Sequence, residues 1–362
     1  MNKAGSVNVT NERSVMKWKK HRNPTVNDVA KLAGVGLMTV SRVLNGQPVV
    51  RPSTRKRVLA AIKQLGYKRN EAARMLKGLP TMMIGLIVPD LSDSFFATCA
   101  QTVQHIARSH GFMTLVAASE GDSELEIEQA QLMASRNLSG MVIATSTVGG
   151  DSRLKELQNS GLTIVAIDRP IDGLQADSVD AENRRGAEEA TRHLIEHGHK
   201  NIAFLGYHGE IRPAIERVEG YADALRAAGL KTNIYLDLWT GEDVQKWAST
   251  IRGHKDRPTA VLTANHVISY RVLHTLRKAG LSIPGDVALI GFHDFELASD
   301  FTPPLTVVEI SPEDMTKRAM ALLIDRINRK RTQEELPPAK VVMPTKLILR
   351  SSCGCKTQSE NS

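Results

Sequence analysis

The sequence predicts an all-α head of three short helices followed by an α/β core of two lobes, each a doubly wound parallel sheet. Two patterns carry this prediction. Residues 25–46 show the apolar spacing of two short amphipathic helices joined by a tight turn. From residue 81 onwards, apolar strands alternate with amphipathic helical segments. Six or more such units over about 270 residues are enough for two similar lobes.

Charge divides the chain in the same way. Residues 1–78 hold 17 Lys and Arg against 3 Asp and Glu, a net charge of +14. The whole chain carries +8, which leaves −6 for residues 79–362. A basic head on a mildly acidic body indicates a polyanion as the partner of the head alone. A merely solubilising tail would explain Lys17, Lys19 and Lys20, but not the basic residues within a helical segment.

The first predicted helix begins at Thr25, because Thr25 and Asp28 have the spacing of a capping box. Gly34 supplies the turn that follows. Four apolar residues share one face of this helix: Val26, Val29, Ala30 and Ala33. The segment therefore has one face to bury against a neighbouring helix.

The second predicted helix has a buried stripe and an outward face. Its stripe consists of Val35, Val40, Val43 and Leu44. The outward residues are Leu37, Met38, Ser41, Arg42 and Asn45. A short helix offered across a tight turn by a preceding helix fits the major groove of DNA. A third helix is predicted from Pro52 to Gly66, with Val58, Ile62 and Leu65 as its core face.

The segment 70–78, NEAARMLKG, has a good N-cap in Asn70 and a terminating glycine in Gly78. It is too short to be a stable helix alone, so it is a candidate hinge that folds against a partner. The predicted domains are a disordered basic extension (1–23), the head (24–69), the hinge (70–79), the core (80–353) and a disordered tail (354–362). Translation could begin at Met1 or at Met16.

Six buried strands are predicted in the core: MMIGLIVP, GMVIA, TIVAID, NIAFLGY, TAVLTAN and VALIGF. Helical segments are predicted at 95–110, 123–137, 184–197, 214–228 and 266–279. Parallel sheets of this kind bind ligands beyond the carboxyl ends of their strands. Those ends carry Pro89-Asp90, Asp168-Arg169, Tyr207-His208, Asn265-His266 and Phe292-His293-Asp294.

Several classes of protein are excluded. No apolar run approaches the roughly 18 residues of a membrane span, and the N-terminal residues lack the apolar stretch of a signal peptide. A cytoplasmic protein with no membrane partner is therefore expected. The G-x-S-x-G, P-loop and G-x-G-x-x-G motifs of common α/β enzymes are missing from the sequence. Glu124, Glu126 and Glu128 are interpreted as a solvated helix face, so no catalytic residue and no cofactor are predicted.

No metal site is predicted either. Cys353 and Cys355 form a C-x-C without a second ligand pair nearby in sequence, and are interpreted as reduced residues of an unstructured tail. His197 and His199 resemble a metal-binding pair, but their H-G-H sequence precedes a strand and is interpreted as a turn.

The sequence resembles the lactose-repressor (LacI/GalR) family of bacterial transcription regulators from Thr25 to about Cys353. The motifs that carry the resemblance are VNDVAKLAGV, TVSRVLNG, NEAARMLKG, IGLIVPDLSDSFF, RVEGYADAL, LIGFHDFELA and PPLTVV. The resemblance implies a helix-turn-helix head, a hinge helix and a core like periplasmic sugar-binding proteins. It also implies a homodimer, in some members a tetramer, that binds a near-palindromic operator in double-stranded DNA and is associated with the nucleoid.

By position in the family motifs, twelve residues are expected at the DNA: Thr25, Leu37, Met38, Thr39, Ser41, Arg42, Asn45, Arg51, Thr54, Ala73, Arg74 and Leu76. Arg42 suits guanine O6 and N7, and Leu37 and Met38 suit thymine methyl groups, unless they lie in the core. Leu76 stands where the family's hinge leucine wedges into the minor groove; packing against the partner's Leu76 is an alternative. Gly36 and Arg51 replace serines that are usual in the family, which affects affinity rather than fold.

The resemblance places eight residues around a cleft between the lobes: Ser94, Phe95, Phe96, Asp168, Arg217, Trp239, Asn265 and His293. Arg217 belongs to an R-x-x-G-Y motif that holds ligand hydroxyl groups or carboxylates. The alternative for Arg217 is a surface salt bridge with Glu216 or Glu219, and the alternative for one of the two phenylalanines is core packing.

His293 replaces an aspartate of many sugar-binding members, and histidine can carry charge near neutral pH. With Arg217, and with Arg169 and Arg212, it favours a sugar acid such as gluconate, a neutral sugar being second. The expected mechanism is allosteric release: the effector moves the lobes, the hinge helices separate and the heads leave the operator. Binding to DNA only with ligand is the alternative.

Overall fold

The computed structural model describes residues 24–44, 49–67, 81–207, 211–238, 240–251, 253, 256–330 and 336–355. They belong to two compact units, one with the described residues 24–67 and one with those from 81 to 355. Within these residues, no helix is long and apolar enough to cross a membrane. The predicted hinge at 70–78 and the extension at 1–23 lie outside the described residues.

The head contains the three predicted helices, α1 (Val26–Ala33), α2 (Leu37–Leu44) and α3 (Pro52–Leu65). The Asp28 carboxylate accepts hydrogen bonds from the Thr25 backbone N–H and hydroxyl, each at 2.7 Å, which confirms the predicted capping interaction. Gly34 ends α1 with φ of +62°, a conformation that glycine adopts without strain. The small core of the head is built around Val29, Val40 and Val58, which are completely buried.

The core has two six-stranded sheets. The first has the order β2-β1-β3-β4-β5-β11, and all its neighbouring strands are parallel. Its strands are β1 (Met83–Val88), β2 (Met113–Ala118), β3 (Gly140–Ile143), β4 (Ile164–Ile167), β5 (Asp177–Ala181) and β11 (Lys340–Met343). The second has the order β7-β6-β8-β9-β10-β12, in which only β12 is antiparallel to its neighbour. Its strands are β6 (Ile202–Leu205), β7 (Ile234–Tyr235), β8 (Ala260–Thr263), β9 (Ala288–Phe292), β10 (Thr306–Glu309) and β12 (Lys346–Ile348).

The two sheets have the same strand order. In each lobe the second strand along the chain lies at one edge of the sheet, beside the first strand, and the later strands follow on the other side of the first. The predicted fold of two doubly wound lobes is therefore confirmed, and so are all six predicted strands. The helices of the core are α4 (Ser94–Ser109), α5 (Ser123–Ala134), α6 (Ser152–Asn159), α7 (Asn183–Glu196), α8 (Arg212–Ala227), α9 (Gly241–Ile251), α10 (His266–Lys278) and α11 (Pro312–Lys330). In such a winding, the ligand crevice lies where the strand order reverses, beside β1 and β3 and beside β6 and β8.

The chain passes between the lobes three times. It crosses after β5 into α7, after β10 into α11, and between β11 and β12. Helix α11 packs on α4 and on the first sheet, whereas α7 packs on α8 and on the second sheet. One continuous apolar cluster contains residues of both lobes, such as Val165 and Phe204. The crevice between the lobes is thus closed at its base by packed side chains.

The interpretation of the C-x-C as part of an unstructured tail is wrong for both cysteines. Cys353 is completely buried and belongs to the apolar core. The Ser352 N–H donates to the Pro304 carbonyl at 3.0 Å, and the Leu289 N–H donates to the Ser352 carbonyl at 2.8 Å. These backbone hydrogen bonds hold the chain around Ser352 against β9 and β10. They join segments that are far apart in the sequence, so the composition of the last residues does not predict them.

Candidate functional site

A cleft of about 970 Å³ lies at the carboxyl ends of strands from both sheets. The residues that line it follow β1, β2, β3 and β4 in one lobe and β6, β8 and β9 in the other. Six of the eight residues predicted for the cleft line it: Phe95, Phe96, Asp168, Arg217, Asn265 and His293. Ser94 lies at its edge, where its Oγ is 3.4 Å from the Nε2 of His266. Trp239 lies outside the described residues.

Arg217 is buried at the centre of the site, on α8. Its Nε donates to Asn183 Oδ1 at 2.9 Å and its Nη1 to the Ala264 carbonyl at 2.7 Å. Its Nη2 lies 3.0 Å from His293 Nε2, and its guanidinium carbon lies 4.6 Å from the centre of the Phe292 ring. Three of its five N–H donors are thus used within the protein, and two are left for a ligand.

The helix around Arg217 explains the R-x-x-G-Y spacing. Arg217, Gly220 and Tyr221 lie on one buried face of α8, since residues three and four apart share a helix face. A Cβ at Gly220 would collide with the Arg184 carbonyl of α7, so glycine permits the close approach of the two helices. The Tyr221 hydroxyl donates to the Ile202 carbonyl at 2.7 Å, which ties α8 to β6. The motif therefore fixes Arg217 by packing.

A surface salt bridge for Arg217 is excluded. Glu216 pairs instead with Arg212 at 2.7 Å, and Glu219 pairs with Arg184 at 3.2 Å. Arg212 is exposed, and it is absent from the residues that line the cleft within the described chain. The prediction that Arg212 contributes to the charge of the cleft is therefore wrong, because the Arg212 guanidinium pairs with the Glu216 carboxylate instead.

The surroundings of His293 favour its neutral form, contrary to the expectation that it can carry charge near neutral pH. Burial, the Arg217 cation and His266 lower the pKa of His293 well below its ordinary value. Arg217 has only donors, so His293 Nε2 accepts, and the ring proton resides on Nδ1. Within the described residues, this buried Nδ1 has no hydrogen-bond partner. The His293 ring stacks on Phe95, their centres 4.9 Å apart.

Arg169 is a buried cation with unused donors. Its Nη2 lies 3.4 Å from Asp168 Oδ2, and its residue exposure is 5%. Among the described residues, neither its Nε nor its Nη1 has a hydrogen-bond partner. A buried charge is costly unless it is paired and hydrogen-bonded, so these two nitrogen atoms mark a place for an acceptor. From the sequence, Arg169 was predicted only as a secondary contributor to the positive charge of the cleft.

Backbone strain is concentrated around the cleft. In the described part of the chain, four residues other than glycine have positive φ, and three of them line the cleft: Glu120 at +54°, Asp168 at +70° and His293 at +66°. Such conformations cost about 1–3 kcal/mol each and cluster at functional sites. The left-handed turn after β4 and the one after β9 thus direct the chain at the cleft.

Glu126 is completely buried, so its interpretation as part of a solvated helix face is wrong. Its carboxylate accepts from the Thr145 hydroxyl at 2.6 Å, from the Thr147 hydroxyl at 3.1 Å and from the Ser146 N–H. Burial raises the pKa of Glu126, against these hydrogen bonds and the Arg169 cation. Because Ser146 lines the cleft, Glu126 positions the loop after β3. Sequence reasoning missed it because its partners are about 20 residues away.

The ends of two helices also face the site. Asn265 caps α10, and its Oδ1 accepts from the Ile268 N–H at 2.9 Å, which leaves the amide N–H₂ as donors. Asp93 caps α4, and its Oδ1 accepts from the Phe95 N–H at 2.8 Å. His266 lies 3.7 Å from Asp93, so a residue of one lobe meets a residue of the other across the cleft. Asp93 and Asp168 supply acceptors, and Arg169, His293 and Asn265 supply donors.

The head presents a second candidate surface. Leu37 is 50% exposed and Met38 is 68% exposed, so both lie outside the core of the head. Ser41, Arg42 and Arg51 are exposed, and Thr25, Thr39 and Thr54 are half-buried. Asn45, Ala73, Arg74 and Leu76 lie outside the described residues. Arg51 precedes α3 without a side-chain cap hydrogen bond. The exposed side of α2 thus combines apolar, hydroxyl and cationic groups, as major-groove contacts do.

Comparison with known proteins adds to this geometry. The model for bacterial regulatory proteins, lacI family, matches residues 25–70, and the model for a periplasmic binding protein-like domain matches residues 191–353. HTH-type transcriptional regulator CelR of Thermobifida fusca is 34% identical over 346 residues, covering 92% of this chain and 99% of the relative. The chain belongs to the lacI family of bacterial regulatory proteins.

Solved structures of lacI-family proteins have the same fold. A CelR–cellobiose complex is 31% identical, with a TM-score of 0.64 over 91% of this chain and 99% of that one. A lac repressor dimer bound to operator is 22% identical, with a TM-score of 0.74 over 92% of this chain and 99% of that one, a likeness that concerns the fold alone. As a lacI-family member, the protein is a DNA-binding transcriptional regulator and not an enzyme, as predicted.

Proposed function

We propose that the protein is a repressor that leaves its operator when a small sugar acid of the gluconate type binds in the cleft. The observation that carries this proposal is the buried Arg169, whose Nε and Nη1 have no partner among the described residues. A ligand carboxylate accepts strong charge-assisted hydrogen bonds from a guanidinium, and each of these two nitrogen atoms has an N–H to donate. A neutral sugar offers only uncharged oxygen atoms to this cation.

The other polar groups of the cleft support a polyhydroxy chain beside that carboxylate. His293 offers a neutral Nδ1–H, and Asn265 offers its amide N–H₂. Asp168 and Asp93 offer carboxylate oxygens, which accept from ligand hydroxyl groups. The half-buried Phe96 supplies an aromatic ring for the C–H groups of a carbohydrate. The CelR–cellobiose complex supports carbohydrates as the ligand class within the family.

The regulatory mechanism is a change in the population of two lobe arrangements. The contact between Asp93 and His266 across the cleft at 3.7 Å belongs to one arrangement, and a bound acid between the lobes shifts the equilibrium. Two copies of the chain bind a near-palindromic operator through their α2 helices and the 70–78 segments, where Leu76 enters the minor groove. Effector binding and operator binding are coupled by about 1–3 kcal/mol.

The test uses the full-length protein and a matched pair of ligands. Isothermal titration calorimetry with gluconate and with glucose is expected to show affinity for the acid at least about 100-fold higher, the worth of two charge-assisted hydrogen bonds. Tight binding of neutral sugars, without binding of gluconate, would overturn the assignment of a sugar acid as the effector. Operator selected from random duplexes is then titrated with and without the acid, and release is expected. Tighter operator binding with the acid would instead indicate a co-repressor.

A further inference from the structure

Two histidines and a cysteine meet at the far end of α7 from the cleft. His193 and His197 are four residues apart, so they share one helix face, and their rings lie 4.2 Å apart. Cys355 Sγ lies 3.3 Å from His193 Nε2 and 3.3 Å from His197 Nε2. The three potential ligand atoms lie within 4.8 Å of one another. His193 and Cys355 are half-buried and His197 is exposed, so ions reach the group from solvent.

Hydrogen bonding orients one of the rings for coordination. His197 Nδ1 lies 2.8 Å from the His193 carbonyl oxygen, which can only accept. The proton of the His197 ring therefore resides on Nδ1, and the lone pair of Nε2 is directed at the side occupied by Cys355. Histidine ligands of metals are held in this way, with the second ring nitrogen donating to a carbonyl or a carboxylate.

The cysteine is also held in place by the fold. Cys353, two residues earlier, is completely buried, and the Thr306 hydroxyl donates to its Sγ at 3.2 Å. The Cys353 thiol donates to the Arg350 carbonyl at 3.4 Å. The Ser352 N–H donates to the Pro304 carbonyl at 3.0 Å. The segment that carries Cys355 is thus fixed against the second lobe.

We propose that His193, His197 and Cys355 bind a Zn²⁺ ion, with water as the fourth ligand. In tetrahedral zinc sites, a ligand sulfur and a ligand nitrogen lie about 3.5 Å apart, close to the two sulfur–nitrogen distances of 3.3 Å in this cluster. Imidazole and thiolate together favour zinc over the hard cations Mg²⁺ and Ca²⁺. The ion ties the segment around Cys355 to the end of α7.

This inference is independent of the proposed effector. The cluster occupies the end of α7, whereas Asn183, at the start of the same helix, bonds Arg217 in the cleft. His199 is not a ligand, because its Nδ1 lies 3.0 Å from the Thr259 hydroxyl on the other side of the turn. The histidine pair of the site is therefore 193 and 197, and not the H-G-H pair that the sequence draws attention to.

The experiment measures zinc and cobalt in the full-length protein, purified without an affinity tag and kept reduced. After loading with ZnCl₂ and dialysis, one Zn²⁺ per chain is expected by mass spectrometry of the metal. Co²⁺ in place of Zn²⁺ is expected to give a thiolate-to-metal charge-transfer band and the intense visible absorption of tetrahedral coordination. Chelation is expected to lower the melting temperature of the wild-type protein.

Two ligand variants and two matched controls decide the assignment. Cys355→Ser and His197→Gln are expected to lower zinc affinity by more than the 10- to 100-fold that loss of an outer-shell partner costs. His199→Gln and Cys99→Ser change a histidine and a cysteine outside the cluster and are expected to bind one Zn²⁺ per chain. Operator binding checks that each variant is folded.

Three results would overturn the proposal. One is wild-type protein that retains no zinc and gives no tetrahedral cobalt spectrum, a measurement that needs no variant. Another is zinc affinity that Cys355→Ser and His197→Gln leave unchanged. The third is a Cys353–Cys355 disulfide in the protein kept under reducing conditions, which removes the Cys355 thiolate as a ligand.

Discussion

The head and the cleft hold their candidate functional side chains in opposite ways. Leu37 and Met38 in the head are 50% and 68% exposed, whereas Arg169 and Arg217 in the core are each 5% exposed. DNA is a large, rigid partner whose groove receives a helix from outside, so its contacts need exposure more than support. A small ligand has few atoms, and each contact is worth more when water is excluded from it.

The two regions also differ in how their side chains are positioned. In the head, a helix of eight residues and a small apolar core suffice, because the direction of every outward residue of α2 follows from the same helix geometry. In the cleft, each side chain follows a different strand, and the turns at Asp168 and His293 are strained. Head contacts are therefore separable from one another, whereas cleft contacts depend on their neighbours.

The largest effect is expected for Arg169, the buried cation of the cleft. Arg169→Met keeps the length of the side chain and removes the charge, so affinity for gluconate is expected to fall at least about 100-fold. Because the unliganded protein loses a buried and poorly paired charge, its melting temperature is expected to rise. Calorimetry and thermal unfolding, with and without gluconate, measure the two effects.

Arg212→Met is the matched control for this change. Arg212 is exposed and pairs with Glu216 at 2.7 Å, so its loss is expected to leave gluconate affinity unchanged. Arg169→Lys keeps the charge without the fork, and is expected to bind gluconate with intermediate affinity. Equal gluconate affinity in Arg169→Met and wild type would mean that the cleft binds its ligand without this cation.

The second expected effect concerns the exposed face of the head. Arg42→Ala is expected to weaken binding to the selected operator by about 1–3 kcal/mol, roughly 5- to 150-fold, because a bidentate contact to a base edge contributes that much. Thr54 is among the residues expected at the DNA, and we assign its hydroxyl group to phosphate, which carries no sequence information. Thr54→Val is therefore expected to weaken binding to operator and to random duplex to the same extent. Fluorescence anisotropy on both duplexes gives the ratio of the two affinities. If Arg42→Ala leaves this ratio unchanged, Arg42 does not contribute to the recognition of bases.

A smaller effect is expected at the loop that Glu126 positions. Glu126→Gln replaces one acceptor oxygen by a donor that faces hydroxyl or N–H groups, at a cost of about 1 kcal/mol. Gluconate affinity is expected to fall a few-fold, because Ser146 lines the cleft. Glu128 is exposed on the same helix, so Glu128→Gln serves as the control. Equal affinities in the two variants would show that the loop does not depend on Glu126.

These contrasts explain what the sequence could and could not predict. The exposure of Leu37 and Met38 follows from helix periodicity, and the strands follow from their apolar runs, so both were predictable within a few residues. The pairing of Glu126 with the 145–147 loop and the neutrality of His293 depend on three-dimensional neighbours. The same holds for Cys355, whose partners His193 and His197 are about 160 residues away in sequence. Motif position predicted Arg217 at the cleft, which it lines, but did not predict its hydrogen bonds to Asn183 and Ala264.

The smallest expected effect compares the carboxylates of the two units. Asp28 in the head is hydrogen-bonded to Thr25, whereas Asp180 on β5 has a buried Oδ1 without a partner among the described residues. Burial raises the pKa of Asp180 from 3.8 to about 6, against the nearby Arg212 cation. The folded state thus holds this proton more tightly than the unfolded state, and stability is lost as the pH rises from about 4 through 6.

Asp180→Asn removes that loss. At pH 8 the variant is expected to unfold about 2 °C higher than wild type, corresponding to about 1 kcal/mol once the partial exposure of the side chain is taken into account. At pH 3, below both pKa values, both states of the wild-type protein mostly bind the proton, so the two melting temperatures should converge. Thermal unfolding between pH 3 and pH 8 measures the difference. A gap of the same size at pH 3 would assign the effect to packing, and the absence of a gap at pH 8 would mean that Asp180 ionises without cost in the core.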